Sequence, residues 1–187
     1  MGCFSSRKTE SGVTLIEIFV VLVILAVLAV AAIPAFSVWL PNYRLKTAAR
    51  DLYSNLQLAK MGAVNKNRDW AVIFDKASSP GKYAIASDRG EDGTWEGPAG
   101  DDEIEKVVDL AVYQGVRYGH GDAGKAVGGG ALGNVITYND EAVVFNSRGT
   151  CSAGYVYLQN KRNTAYAVGT RSSGVILLRK WTGSEWQ

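Results

Sequence analysis

The sequence predicts an α+β protein in which one long N-terminal helix, half transmembrane and half amphipathic, packs on an antiparallel β domain of one or two small sheets. Three observations carry this reading. Residues 18–40 contain no charged side chain. Beyond them, apolar residues recur at helical spacing to about Asn65. From Trp70 onward the apolar pattern alternates with a period of about 2 instead.

At a rise of about 1.5 Å per residue the apolar run is roughly 35 Å long, enough to cross a bilayer core. Residues 1–12 form a short polar leader in which Arg7 and Lys8 stand against Glu10. That balance holds the N-terminus in the cytoplasm and places the C-terminal bulk of the chain outside. Glu17 is the anomaly, because an ionised carboxylate near the end of a membrane helix costs about 2–3 kcal/mol unless it is paired. The stretch contains no partner for it. Two other readings stand beside this one. A cleaved secretory signal, with a small-x-small site at Ala29-Val30-Ala31, would release a soluble β protein. A simple single-span anchor would leave the carboxylate unexplained.

Gly12-Val13-Thr14-Leu15-Ile16-Glu17, followed by an apolar run containing Pro34, resembles the leader and first helix of type IV pilins and type II secretion pseudopilins. The resemblance implies that prepilin peptidase cuts after Gly12 and that the new amino terminus at Val13 is methylated. That family usually has Phe at the first mature position, so Val13 is a departure. The resemblance also implies a partner for Glu17: a terminal amine within a growing filament. An amine and a carboxylate that meet in a low-dielectric helix bundle cancel two charges that are each costly alone.

Past residue 40 the helical pattern continues. Pro34 and Pro41 are candidate kinks, since each removes a backbone donor and crowds the preceding turn. Leu45, Ala49, Leu52, Leu56, Ala59 and Ala63 form one stripe, with Arg44, Lys46, Arg50, Asp51 and Lys60 off it. The stripe requires a sheet to cover it. The chain thus divides into a leader at 1–12, a membrane or filament-core helix at 13–40, its amphipathic continuation at 41–66 and a β domain at 67–187. Residues 52–74 resemble the helix-to-strand passage of the GspH and FimT branch of minor pseudopilins and minor pilins, and so do residues 143–160.

Within the β domain, Trp70, Val72 and Phe74 alternate with Ala71 and Ile73, and Tyr83 and Ile85 come after a Ser78-Ser79-Pro80-Gly81 turn, which reads as a hairpin. A polar passage at 88–105 precedes a β-like run at 107–118. A glycine-rich loop at 119–133, expected to be disordered at its tip, separates this from strands near 135–138, 142–146, 154–159, 164–169 and 175–181.

The net charge of +2 is unevenly spread. Residues 68–112 hold eleven acids and five bases, whereas residues 147–187 hold six bases and one acid, Glu185. Such asymmetry orients a subunit against its neighbours. Cys3 leaves with the leader, so the mature chain keeps Cys151 alone and closes no internal disulfide.

No constellation makes an enzyme. Gly119-His120-Gly121-Asp122-Ala123-Gly124-Lys125-Ala126 has P-loop spacing but ends in Ala126, with Gly128-Gly129-Gly130 where a helix should begin. Asp88-Arg89-Gly90-Glu91-Asp92-Gly93 has Ala99 where a calcium loop needs its twelfth-position acid. His120, the only histidine, reads as an exposed loop residue. No catalytic residue, metal or cofactor is expected. Arg171, Arg179 and Lys180 lie near Trp181 and Trp186, a mixture of cations and aromatics able to hold DNA, and the resemblance extends to FimT-type minor pilins of type IV pili, some of which take part in DNA uptake.

The function expected from these readings is a minor subunit of a type II secretion pseudopilus. Its partners are prepilin peptidase, other pilins or pseudopilins and the inner membrane, which it crosses once with the C-terminal domain in the periplasm. A DNA-binding minor pilin of a type IV pilus is the alternative.

Overall fold

The structure is a computed structural model that describes residues 12–187, with the side chains of residues 31–35 outside the described set. Residues 1–11, Cys3 among them, also lie outside it. The chain separates into two compact units, Met1–Trp39 and Leu40–Gln187. One helix, α1 (Leu15–Lys66), spans 52 residues. Eight strands come after it: β1 (Trp70–Asp75), β2 (Lys82–Asp88), β3 (Glu103–Asp109), β4 (Arg117–Tyr118), β5 (Ala142–Phe145), β6 (Gly154–Gln159), β7 (Ala165–Thr170) and β8 (Ile176–Lys180).

They form two antiparallel four-stranded sheets, ordered β3-β2-β1-β5 and β4-β6-β7-β8. Both sheets pack on the same helix stripe. Leu45, Ala49, Leu52, Leu56, Ala59 and Ala63 are at most 1% exposed, and Ala48 joins them in one core with Val72, Phe74, Ile85 and Phe145 of the first sheet and Val156, Leu158, Val168 and Ile176 of the second. Each fully buried leucine contributes about 2–3 kcal/mol by leaving water. The stripe is therefore the spine of the domain.

Polar side chains fix the helix on this spine at three levels. At its entry, Asn42 Oδ1 accepts from Asn160 Nδ2 at 2.9 Å and Thr164 Oγ1 at 3.0 Å, at the β6–β7 turn. Midway, Asp51 Oδ2 accepts from the Tyr83 and Tyr113 hydroxyls at 3.2 and 2.9 Å and from Asn55 Nδ2 at 3.1 Å. Asn55 also donates to the Tyr83 hydroxyl and accepts from Lys106 Nζ. Further along, Lys60 Nζ donates to the Gly174 carbonyl at 3.0 Å, at the β7–β8 turn. These bonds satisfy groups that would be costly to bury unpaired.

Several expectations change. The run near 107–118 is not one strand: β3 begins earlier, at Glu103, and ends at a 3-10 turn, Leu110–Val112, capped by the Asp109 carboxylate on Ala111 N–H. Residues 135–138 contribute a single bridge, Ile136 to Val156. The glycine-rich loop is pinned: Val127 N–H donates to the Tyr157 hydroxyl at 3.0 Å, Trp186 Nε1–H donates to the Lys125 carbonyl at 2.7 Å, and Asp122 N–H donates to the Asn163 carbonyl at 2.8 Å.

Candidate functional site

The N-terminal unit is built from a cap and an uncovered apolar surface. Gly12, Val13 and Thr14 precede α1 without regular structure. Glu17 N–H bonds both Thr14 Oγ1 at 3.3 Å and Thr14 C=O at 3.1 Å. Thr14 is thus the N-cap and Glu17 stands three residues on, in the first turn, where a carboxylate opposes the helix dipole. Thr14-Leu15-Ile16-Glu17 has the spacing of a capping box, a signal that the sequence itself carries. The cap explains where the helix begins but leaves the carboxylate's charge to be matched.

After the cap, large apolar side chains are exposed wherever they are described, from Leu15 at 86% through Leu22 at 58% to Val30 at 71%. Phe36 and Trp39 continue the pattern. Among the described residues no helix is long and apolar enough to cross a membrane. The described side chains of this run stop at Val30 and resume at Phe36, and Pro34, the expected kink, falls in the interval.

Within the second unit, Arg171 and Arg179 line one groove of about 500 Å³ on the outer face of the second sheet, together with Lys125, Tyr155, Trp186 and Glu185. Its form comes from register. Tyr155 pairs with Gly169 and Gly169 with Leu177, while Tyr157 pairs with Ala167 and Ala167 with Arg179. Small residues in the middle strand leave a trough between tyrosines and a cation. A Cβ at Gly169 would meet the Tyr155 ring, so that ring lies across the glycine. Trp186 stacks in tilted fashion on Tyr157 at 5.3 Å and on Trp181 at 5.4 Å. Lys180 does not line the groove; its backbone pairs with Gln187 at the sheet edge. Among the described residues Arg171, Arg179 and Lys125 enter no ion pair.

His120 is not the exposed residue expected. Its ring packs 4.7 Å from Tyr157, its Nε2 is buried without a hydrogen-bond partner, and burial holds its pKa below the ordinary value of 6.5. Cys151 is half-buried, with Sγ donating to the Arg171 carbonyl at 3.3 Å, and burial raises its thiol pKa.

The acidic loop spends its carboxylates on its own turns. Asp92 accepts from Thr94 N–H and hydroxyl, Asp101 from Glu91 N–H, and Asp102 from Glu96 and Gly97 N–H. Among the described residues no three candidate ligands gather for a metal.

A long capped helix whose second half is the spine of two antiparallel sheets, and whose first half offers an uncovered apolar surface, defines a pilin-like assembly subunit. The family model of type II transport protein GspH matches residues 48–174, and the chain belongs to that family. It is accordingly a structural subunit of the type II secretion kind, a minor pseudopilin. Among solved structures it is similar to the minor pseudopilin EpsH from the type 2 secretion system of Vibrio cholerae, at 15% identity and a TM-score of 0.48, over 72% of this chain and 95% of that one. No curated protein matches.

Proposed function

We propose that this subunit is made as a precursor, cut by prepilin peptidase between Gly12 and Val13, and methylated at the Val13 amine. The apolar half of α1 then holds it in the inner membrane with the β domain in the periplasm, until it joins other pseudopilins in a pseudopilus. There Glu17 neutralises a terminal amine. The observation that supports this reading most is the uncovered apolar surface between Leu15 and Val30, which carries a single carboxylate at its capped start. Water does not tolerate such a surface, whereas a membrane and then a helix bundle both cover it. Gly12 and Val13 precede the Thr14 cap without regular structure, which suits a processing enzyme.

The test is direct. The mature N-terminus should read Val13 by terminal sequencing; a start near Ala32 would mean a secretory signal and would end this reading. Glu17→Ala should still be processed yet enter filaments at least tenfold less, read by sheared-filament immunoblotting. Replacing Gly12 with a bulky residue should leave uncut precursor in the inner membrane.

One observation favours a second reading, a DNA-binding minor pilin: Arg171 and Arg179 share a groove with Tyr155 and Trp186. Phosphate contact and base stacking would both be served there. A salt-sensitive gel shift lost on joint substitution of Arg171 and Arg179 would support it; no shift at low salt would dismiss it.

A further inference from the structure

On the face of the first sheet turned away from α1 lies a second, larger trough of about 940 Å³. Its floor is one cross-strand row, in which Ile73 pairs with Ala84 and Ala84 with Val107. Trp95 and Pro98, from the loop between β2 and β3, wall one side. The Lys76–Glu141 ion pair walls the other. Alanine at the centre of the row is what leaves room, since a strand residue of ordinary bulk would fill it.

The trough opens at β3, and β3 is an edge strand seven residues long. Among the described residues no backbone hydrogen bond crosses its outer side. Val107, the last residue of the floor, is 48% exposed. An unpaired edge beside an apolar trough is the geometry that accepts an added strand: main-chain bonds along the edge, one side chain into the trough.

Charge narrows the occupant. The lining holds four carboxylates, Asp75, Glu96, Asp140 and Glu141, against two ammonium groups, Lys76 and Lys82. The edge itself carries Glu103, Glu105 and Asp109 against Lys106; Arg68 pairs with Glu103, Lys82 with Asp109 and Lys76 with Glu141, so across lining and edge seven carboxylates face four cations. Glu141 on the rim sits at φ 53°, a left-handed conformation that glutamate rarely adopts.

We infer that β3 and this trough form a docking site for an extended segment of a protein partner in which an aromatic or large aliphatic residue is flanked by lysine or arginine. A strand added beside β3 lies about 4.8 Å from it, so a side chain on the Val107 face enters the trough from its open end. The flanking cations meet the acidic edge and rim. The inference concerns this sheet surface alone and does not depend on the membrane or filament assignment. Peptide binding to the isolated chain can fail while Glu17-dependent incorporation holds, and the reverse.

The test uses the full chain in nanodiscs and the synthetic peptide Thr-Lys-Val-Phe-Val-Lys-Thr, with a Phe→Ala and a double Lys→Glu version as comparators. Binding should slow amide hydrogen exchange along β3. Each altered peptide should bind at least tenfold more weakly. Val107→Lys should abolish binding by the original peptide, whereas Val175→Lys, a substitution at an equally exposed valine preceding β8, should not. Thermal midpoints check that both variants fold.

The proposal is overturned if no peptide binds, if the Phe→Ala peptide or Val107→Lys loses nothing, or if protection appears on β8 instead. It is equally overturned if the chain self-associates through β3 without peptide, which would make the occupant a second copy. Palmitate alone producing the β3 protection would also overturn it, by assigning the trough to an acyl chain.

Discussion

Replacing Gly62 by alanine should destabilise the β domain, although the same change in an ordinary helix interior stabilises by about 1 kcal/mol. Gly62 lies within α1, where the helix passes under the buried indole of Trp70, the first residue of β1. A Cβ built at this position comes 2.6 Å from Trp70 Cδ2 and Cε3 and 2.7 Å from Cε2. Ordinary carbon contacts are about 3.5–4.0 Å, so the ring or the helix must yield by roughly 1 Å. Trp70 is 7% exposed, so most of the ring is enclosed by the core. Overpacking of this kind costs about 1–3 kcal/mol. Set against the helical gain, the net loss is about 1 kcal/mol, or roughly 2–4 °C in Tm for a domain of this size.

Thermal unfolding of the full chain, monitored by circular dichroism, measures the change. Gly62→Leu, with several more carbons and nowhere to place them, should lose at least three times as much. A double-mutant cycle adds the cause: in a Trp70→Leu background the sign should reverse, with Gly62→Ala stabilising. A rise in Tm for Gly62→Ala in the wild-type background would refute the argument, because it would mean that the indole does not lie on the helix.

Three further outcomes are expected from the side chains. Burial, then the hydrogen bond to Asp51, pushes the Tyr113 hydroxyl up to about 12, and burial, then the Asp51 charge, raises Tyr83 further still. Between pH 10 and 12 the unfolded chain releases phenolic protons that the folded chain keeps, so stability falls as pH rises through that window; Tyr113→Phe should flatten the slope in urea titrations. His120 is held neutral below its ordinary 6.5 by burial, so the unfolded chain takes up that proton first and stability falls as pH drops below 6.5. His120→Gln should remove that part of the acid slope. Trp186→Ala removes the indole bond to Lys125 C=O and the stacking on Tyr157. Limited proteolysis within residues 119–133 should then speed up about tenfold, corresponding to about 1.4 kcal/mol of lost local protection.

The elements that bury apolar side chains on a regular period were legible in the sequence. The stripe from Leu45 to Ala63 and the alternation of Trp70, Val72 and Phe74 are where a 3.6-residue and a two-residue period predict them. β3 was harder to read. As an edge strand it exposes Glu103, Glu105 and Lys106, so its first half carries no apolar alternation. The partition of the strands into two sheets is long-range pairing, which no local window contains. The loop at 119–133 reads as flexible because of its glycines, while the bonds that anchor Lys125 and Val127 come from Trp186 and Tyr157, which lie far along the chain. The groove on the second sheet was half visible. Arg171 and Arg179 stand out by charge, but Lys180 does not join them because residues 179 and 180 point to opposite sides of a strand. Tyr155 and Lys125 could be added only once register and loop placement were known.

The bond from Asn42 to the β6–β7 turn has a mechanical consequence. A subunit that is pushed or pulled through its N-terminal helix receives load first at the point where the helix enters the domain, and there Asn42 is tied to Asn160 and Thr164. Load along the helix axis then has to slide the whole buried stripe from Leu45 to Ala63 against two sheets at once, with Asp51 and Lys60 as further ties. This is shear across many parallel contacts, where rupture requires that they fail together, and not peeling, where they fail one after another. The domain is thereby a cargo that the helix can drag without unravelling it.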